Sequence, residues 1–406
     1  MTEQMRGLFR RFIIITAALT LILGVCATAF AGDGMVTVTQ EEYDLLQQYK
    51  HIEEIRQIIS QTYYQDVDPD SLLIGAARGL FSPLDDPYSF YYSKDDMSAM
   101  NEQLTGDYKG IGVQILAHPA DNSLTIVRVF PQSPAEKIGI RSGDKIIQVD
   151  DLSVTAFEMN KAVEIMRGGP AGTTVEVTVR RGEEEILFTV ERGEIHMNNV
   201  EYSMLDNNIG YIRLYSFEGT MATEYADALA KLTEQGMTAM VLDLRDNPGG
   251  LTDYAERVAN TLLNDELIYY TRDRYGLEVN YYADGKPIGL PLAVLCNGNS
   301  ASSSEILIGA LKDHKTAVII GEKTFGKGII QSVYEFPEGD GMQVTSQQYF
   351  TPNGDAIHGV GIEPDIEVAL NEDAIDENTL LDREKDNQLQ AAVDYLMTEL
   401  DLDQAA

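Results

Sequence analysis

Between residues 200 and 370, short apolar runs alternate with segments of helical periodicity, and no other feature constrains the chain as much. TAMVLDLRDN, LPLAVLC and KTAVIIG read as strands, LPLAVLC as a buried one. TMATEYADALAKLTEQG, LTDYAERVANTLL and SSSEILIGALKD read as helices set among them. Strands separated by helices need crossover connections, so this region must form a layered α/β core. IGYIRLYSF opens the set, while ELIYYTRDR, NYYADG, IIQSVYEF and MQVTSQQYF add extended segments. A polar linker from about residue 371 leads to DNQLQAAVDYLMTELDL, a terminal helix.

Upstream, the periodicity differs. Residues 106–193 hold short β-rich runs (YKGIGVQILA, SLTIVRVF, GDKIIQVD, TTVEVTVRR, EEEILFTVER) punctuated by Gly, Pro and Asp. Two helical pieces, SPAEKIG and FEMNKAVEIMRG, lie among them. Residues 35–105 read as an accessory helical region, with Tyr43, Leu46, Tyr49 or Ile52, Ile55 and Ile58 on one face. Within it DPYSFYYSKDD is an aromatic connector whose rings are expected to pack.

The first 31 residues form a targeting segment. Arg6, Arg10 and Arg11 precede an uncharged apolar run, and Ala29-Phe30-Ala31 fits a small-x-small cleavage site. The run from Phe12 to Ala31 is also long enough to span a bilayer. It is either a cleaved signal peptide or a retained membrane anchor, and both put the body outside the cytoplasmic membrane. The net charge of -35 repels phosphate backbones, which argues against a nucleic-acid partner. With Cys26 in the leader, Cys296 stands alone, so neither an intramolecular disulfide nor a thiolate metal cluster is expected. None of the five histidines sits in a metal-ligand motif.

Three loops invite chemistry. VLDLRDNPGG ends a strand in Pro248, Gly249 and Gly250, a turn able to aim glycine N–H groups at a developing oxyanion. NSASSSEILIGALK follows the next strand. Ser302 and Glu305 there fit a capping box, but a serine at a helix N-terminus also meets the partial positive charge that favours an alkoxide-like species. GEKTFGKGIIQ places Lys327 between Gly326 and Gly328, where partial desolvation would supply a neutral amine as base. Gln331 lies four residues on, in reach to orient that amine or simply to face outward. In the β-rich region, Gly110-Ile111-Gly112-Val113 opens a strand whose amides could receive a terminal carboxylate as a peptide adds to the sheet edge.

Taken in order, SPAEKIGIRSGDKIIQVD, GYIRLYSF, VLDLRDNPGG, SASSSEILIGALKD, GEKTFGKGIIQ and GVGIEPDI resemble the carboxy-terminal processing (tail-specific) proteases, serine endopeptidases with a PDZ domain of peptidase family S41. The resemblance covers nearly all of the chain after the leader. It implies a multidomain α/β protein: a helical N-terminal region, a β-rich PDZ domain (106–193) inserted before a crotonase/ClpP-like α/β serine-protease core (194–370), and a C-terminal helix within 371–406. It implies a Ser-Lys dyad, with Ser302 as nucleophile, Lys327 as general base and Gln331 orienting it. The oxyanion hole falls on Gly249 and Ser303, where relatives usually carry alanine at the second position. Asp313 matches a family aspartate and is expected to be structural. No metal or cofactor is implied. The implied partners are protein or peptide substrates with exposed, typically apolar, C-termini, and a second copy of the chain through the terminal helical regions. The implied location is a bacterial cell envelope or exterior. The competing reading is a catalytically silent PDZ adaptor that binds tails without cutting them.

Overall fold

The computed structural model describes residues 37–118, 121–375 and 381–405. The leader and its cleavage site lie outside the described residues. Among the described residues no helix is long and apolar enough to cross a membrane.

The chain divides into two units after Leu80, inside the stretch 35–105 expected to be one helical region. The first unit holds α1 (Gln40–Thr62) and α2 (Pro69–Gly79). Thr39 and Glu42 close a capping box on α1, and Asp68 caps α2 with Pro69 just inside it. The anticipated apolar face of α1 is present, and Tyr43, Leu46, Tyr49, Ile52, Ile55 and Ile58 are all exposed on it.

The second unit begins with β1 (Phe90–Tyr92), α3 (Lys94–Thr105) and β2 (Asp107–Gly110). A β-rich body follows: β3 (Val113–His118), β4 (Ser123–Val129), α4 (Pro134–Lys137), β5 (Lys145–Val149), β6 (Leu152–Ser153), α5 (Met159–Arg167), β7 (Thr174–Arg181) and β8 (Glu184–Glu191). Its antiparallel sheet runs β3-β4-β5-β7-β8, with β6 on β5. Period-two alternation builds its core: Val175, Val177 and Val179 of β7 point inward against Leu124, Ile126 and Val190, and Ala162 and Met166 of α5 close over them. β2 pairs with β9 (Gly193–His196), so the chain enters and leaves this body side by side.

The remaining elements are β10 (Val200–Met204), β11 (Ile209–Leu214), α6 (Met221–Glu234), β12 (Ala239–Asp243), α7 (Thr252–Ala259), β13 (Leu267–Asp273), β14 (Glu278–Tyr282), β15 (Leu292–Cys296), α8 (Ser303–Asp313), β16 (Val318–Gly321), β17 (Ile329–Glu335), β18 (Gly341–Phe350), β19 (Ile366–Glu367) and α9 (Asn387–Ala405). A six-stranded sheet runs β10-β11-β12-β15-β16-β19, parallel throughout except for β10 against β11. Alternate residues of its strands serve opposite faces. Met240, Leu242 and Val294 meet α6, α7 and α8, while Val241, Ala293 and Leu295 meet Leu389, Ala392 and Leu396 of α9. The terminal helix thus covers one face of its own sheet. A second, antiparallel sheet runs β1-β18-β13-β14, with β17 also on β18. Its first strand comes from the aromatic connector, which sequence reading left outside the core.

Candidate active site

β12 and β15 are parallel neighbours, so the loops after their carboxyl ends emerge together. These are VLDLRDNPGG and the serine cluster. The four serines then separate by function in the fold. Buried Ser300, Ser303 and Ser304 donate to the carbonyls of Leu244 (2.8 Å), Gly250 (2.8 Å) and Asn247 (2.9 Å), stapling one loop to the other. Ser302 alone is half-exposed, with φ 55° and ψ -116° at the N-cap of α8. A β-carbon is strained at that φ, and such strain persists only where the surroundings over-determine it.

The capping-box expectation holds for Ser302 and Glu305. Glu305, fully buried, accepts from the Ser302 N–H at 3.0 Å. Its own amide goes to the Ser302 carbonyl at 2.8 Å. The same carboxylate accepts from Thr324 Oγ1 (2.6 Å), Gly326 N–H (2.7 Å) and Lys327 N–H (2.8 Å). One side chain therefore holds both the serine turn and the lysine loop. The buried Tyr349 hydroxyl adds a second tie, lying 2.7 Å from the Lys327 carbonyl and 3.0 Å from that of Ser302. Sequence reading used Glu305 only as a cap and gave Tyr349 no part.

Gly249 has φ 101°, and a β-carbon there would stand 2.7 Å from Ser302 Cβ and 2.8 Å from the Ala301 carbonyl oxygen. Glycine is required both for the dihedral and for the close approach. Its N–H donates to Asn247 Oδ1 at 2.9 Å. Ser303 opens the helix, so its amide has no intrahelical acceptor. The loop is fixed from behind by a buried ionic network. Arg245 bonds Asp243 (2.6 Å) and Asp386 (2.8 Å), and Tyr211 donates to Asp243 at 2.7 Å. Burial works to raise the Asp243 pKa, but the charge and hydrogen bonds of Arg245 outweigh it and leave the carboxyl below its usual range.

Lys327 is half-buried. Burial pushes its pKa below the usual 10.5, against Asp86 and Glu305, which favour the charged form. Its Nζ lies over the Tyr88 ring, 4.5 Å from the centroid, and no hydrogen bond joins it to Ser302 Oγ. The β17–β18 register shifts between Ile330 and Gln331, and Gln331 Nε2 donates to Thr345 Oγ1 at 3.2 Å. Asp313 ends α8 and accepts from the Asn353 N–H at 2.8 Å, away from the serine turn.

In the β-rich body, Ile111 is buried and Gly112 takes φ 86° against Ser133. Their carbonyls accept from Ala135 and Phe130, whereas neither amide donates to a described residue. Val113 then enters β3, across from Val129.

A serine at a helix end, in a turn tied through Glu305 to the loop of a lysine kept partly from water, suits acyl transfer. Comparison with known proteins gives the family. Residues 208–368 match the model of peptidase family S41, residues 125–181 a PDZ domain, and residues 27–96 the activating protease CtpB N-terminal domain. A probable CtpA-like serine protease of Staphylococcus haemolyticus is 36% identical over 361 residues, covering 88% of this chain and 71% of the relative. Its Staphylococcus aureus counterpart is 33% identical, covering 89% and 73%. Among solved structures, a photosystem II D1 C-terminal processing protease aligns at 29% identity and TM-score 0.50, covering 82% of this chain and 94% of its own. A putative S41 protease from Bacteroides fragilis shares the fold, with TM-score 0.57 at 18% identity, covering 85% and 97%.

The chain belongs to the S41 carboxy-terminal processing proteases, an extracytoplasmic bacterial family. It is a serine endopeptidase with a PDZ domain that recognises protein or peptide substrates. The silent-adaptor reading therefore falls.

Proposed function

We propose that Ser302 and Lys327 form the catalytic dyad. The observation that carries this is the Glu305 carboxylate, which binds the backbone of both residues at once. Lys327, as the free amine, takes the proton from Ser302 Oγ as that oxygen attacks the scissile carbonyl. It returns the proton to the departing amine nitrogen, leaving an acyl-enzyme. Water then repeats the cycle and releases Ser302. The oxyanion is met by the Ser303 amide at the helix end and by the Gly249 amide, which shares its proton with Asn247. Gln331 steadies the amine while Thr345 holds its amide nitrogen.

Substrate tails seat their carboxylate on the open amides of the Gly110-Ile111-Gly112-Val113 turn and extend along β3 in the groove beside α5. The PDZ domain is taken as 106–193 and the protease core as 194–370, a crotonase/ClpP-like arrangement. The exposed face of α1 supports homodimerisation through the first unit. The leader sequence supports a protein secreted from, or anchored to, the outer face of the cytoplasmic membrane.

The test compares wild type, Ser302→Ala and Lys327→Ala on an unfolded peptide with an apolar C-terminus, acid or amidated. Only wild type should cleave, and amidation should raise KM. Unchanged cleavage by Ser302→Ala would overturn the nucleophile assignment, and indifference to amidation the carboxylate seat.

A further inference from the structure

The aromatic connector belongs to the protease core. β1 pairs with β18, with Phe90 opposite Gln343 and Tyr92 opposite Gly341. Ahead of β1, the Gln343 side chain donates to the Tyr88 carbonyl at 3.0 Å, and the Thr345 N–H donates to Ser89 Oγ at 2.9 Å. Ser89 Oγ in turn donates to Asp86 Oδ2 at 2.5 Å, and Asp86 Oδ1 accepts from the Tyr88 N–H at 3.0 Å. Four bonds thus fix this short turn, and they present the face of Tyr88 to Lys327 Nζ. Thr345 is shared, since its hydroxyl also accepts from Gln331.

An aromatic face attracts an ammonium and has no comparable hold on the neutral amine. We propose that Tyr88, braced by Asp86, is a positioning residue for the base: it receives the Lys327 ammonium formed on proton uptake and sets the pH at which the free amine becomes available. The inference rests on Lys327 being the base. The charged and titratable groups around Lys327 are Asp86 on the connector, Glu305 on α8 and Tyr349 on β18, with His358 beside Asp86. Asp86 and Glu305 act on the amine in the same direction as the ring, favouring its charge. Glu305 is already held by its own donors, whereas Tyr88 and Asp86 can be varied without touching Ser302 or its turn.

The experiment is the pH profile of kcat/KM for the full chain on the unfolded apolar-tailed peptide. In Tyr88→Leu the acid limb should move to lower pH by about 0.4 to 1.5 units, the worth of one such contact. Asp86→Asn should move it the same way. Tyr88→Phe, which keeps the ring, should keep the wild-type limb. A Tyr88→Leu limb that superimposes on wild type, or a Tyr88→Phe limb that moves as far as leucine's, overturns the inference. Should Tyr88→Leu lose its cooperative melt, Tyr88→Met takes its place: its limb moves acidward or the inference falls. Lys327→Ala separates the two failures. Cleavage by that variant removes the base itself, whereas a silent Lys327→Ala with an unmoved Tyr88→Leu limb removes only the role of Tyr88.

Discussion

Glu305→Gln is the substitution that best tests how the site is held. The carboxylate sits at zero exposure and accepts from Ser302, Thr324, Gly326 and Lys327, two donors on each oxygen. Glutamine has the same shape but replaces one oxygen with NH2: turned towards Thr324 and Gly326, it sets the Gly326 N–H against a donor and forces the Thr324 hydroxyl to reverse, and turned the other way it faces the Ser302 and Lys327 N–H groups. Hydrogen bonds to a charged acceptor contribute about 1.5–3 kcal/mol each, so losing one or two costs about 1.5–6 kcal/mol. Glutamine also avoids the desolvation of a buried charge, which offsets part of that loss. The expected net destabilisation is about 2–4 kcal/mol. Activity should fall further than stability, because both Ser302 and Lys327 hang on this group and a displacement of ~1 Å costs ~100-fold. The chain has no tryptophan, so urea unfolding would be followed by circular dichroism or tyrosine emission. An unfolding midpoint equal to wild type, with kcat/KM within about threefold, would refute the claim that Glu305 carries the link.

Gly249→Ala should abolish cleavage and destabilise the core by at least ~2 kcal/mol, because the new methyl would meet Ser302 Cβ at 2.7 Å and cannot adopt φ 101° without strain; near-wild-type turnover would show that the loop can yield. Arg245→Met leaves Asp243 and Asp386 buried and unpaired and should cost about 3–5 kcal/mol at neutral pH. Because the wild-type Asp243 carboxyl is held below its usual range, the difference from wild type should narrow as pH falls through the carboxyl range, which pH-dependent melts would show. The depressed Lys327 places its free amine below pH 10.5, so kcat/KM should climb with pH from neutrality towards the lysine's lowered pKa; a flat profile would count against proton uptake there.

Much of the fold is legible because the core strands are apolar runs set between amphipathic helices, and periodicity records that directly. The order of the Gly249, Ser302 and Lys327 loops is legible for the same reason, since parallel neighbours β12 and β15 send their loops to one edge. Choosing among the serines was not a matter of pattern. Ser300, Ser303 and Ser304 are set apart from Ser302 by having carbonyls of the facing loop to bond, which local sequence does not encode. Tyr349 was illegible because its hydroxyl acts on two backbone carbonyls far away in the chain. The connector was misjudged because three residues of β-structure carry too short a pattern to read, and its partner strand lies beyond the whole PDZ domain. The packing of the terminal helix was also illegible: Leu389, Ala392 and Leu396 are buried on its own sheet, a partner that the helical spacing alone does not name.

That distant pairing between β1 and β18 has a consequence in time. The Tyr88 carbonyl and the Gln343 side chain that bonds it are separated by 255 residues. Contacts of such long range form late, after the loop between them has been ordered. Chains are also made from the N-terminus onward, and domains condense as they emerge. Tyr88 is therefore synthesised early and waits, while the PDZ body can already fold. Only when Phe350 has followed are the connector, the lysine loop and the serine turn all present to close on one another.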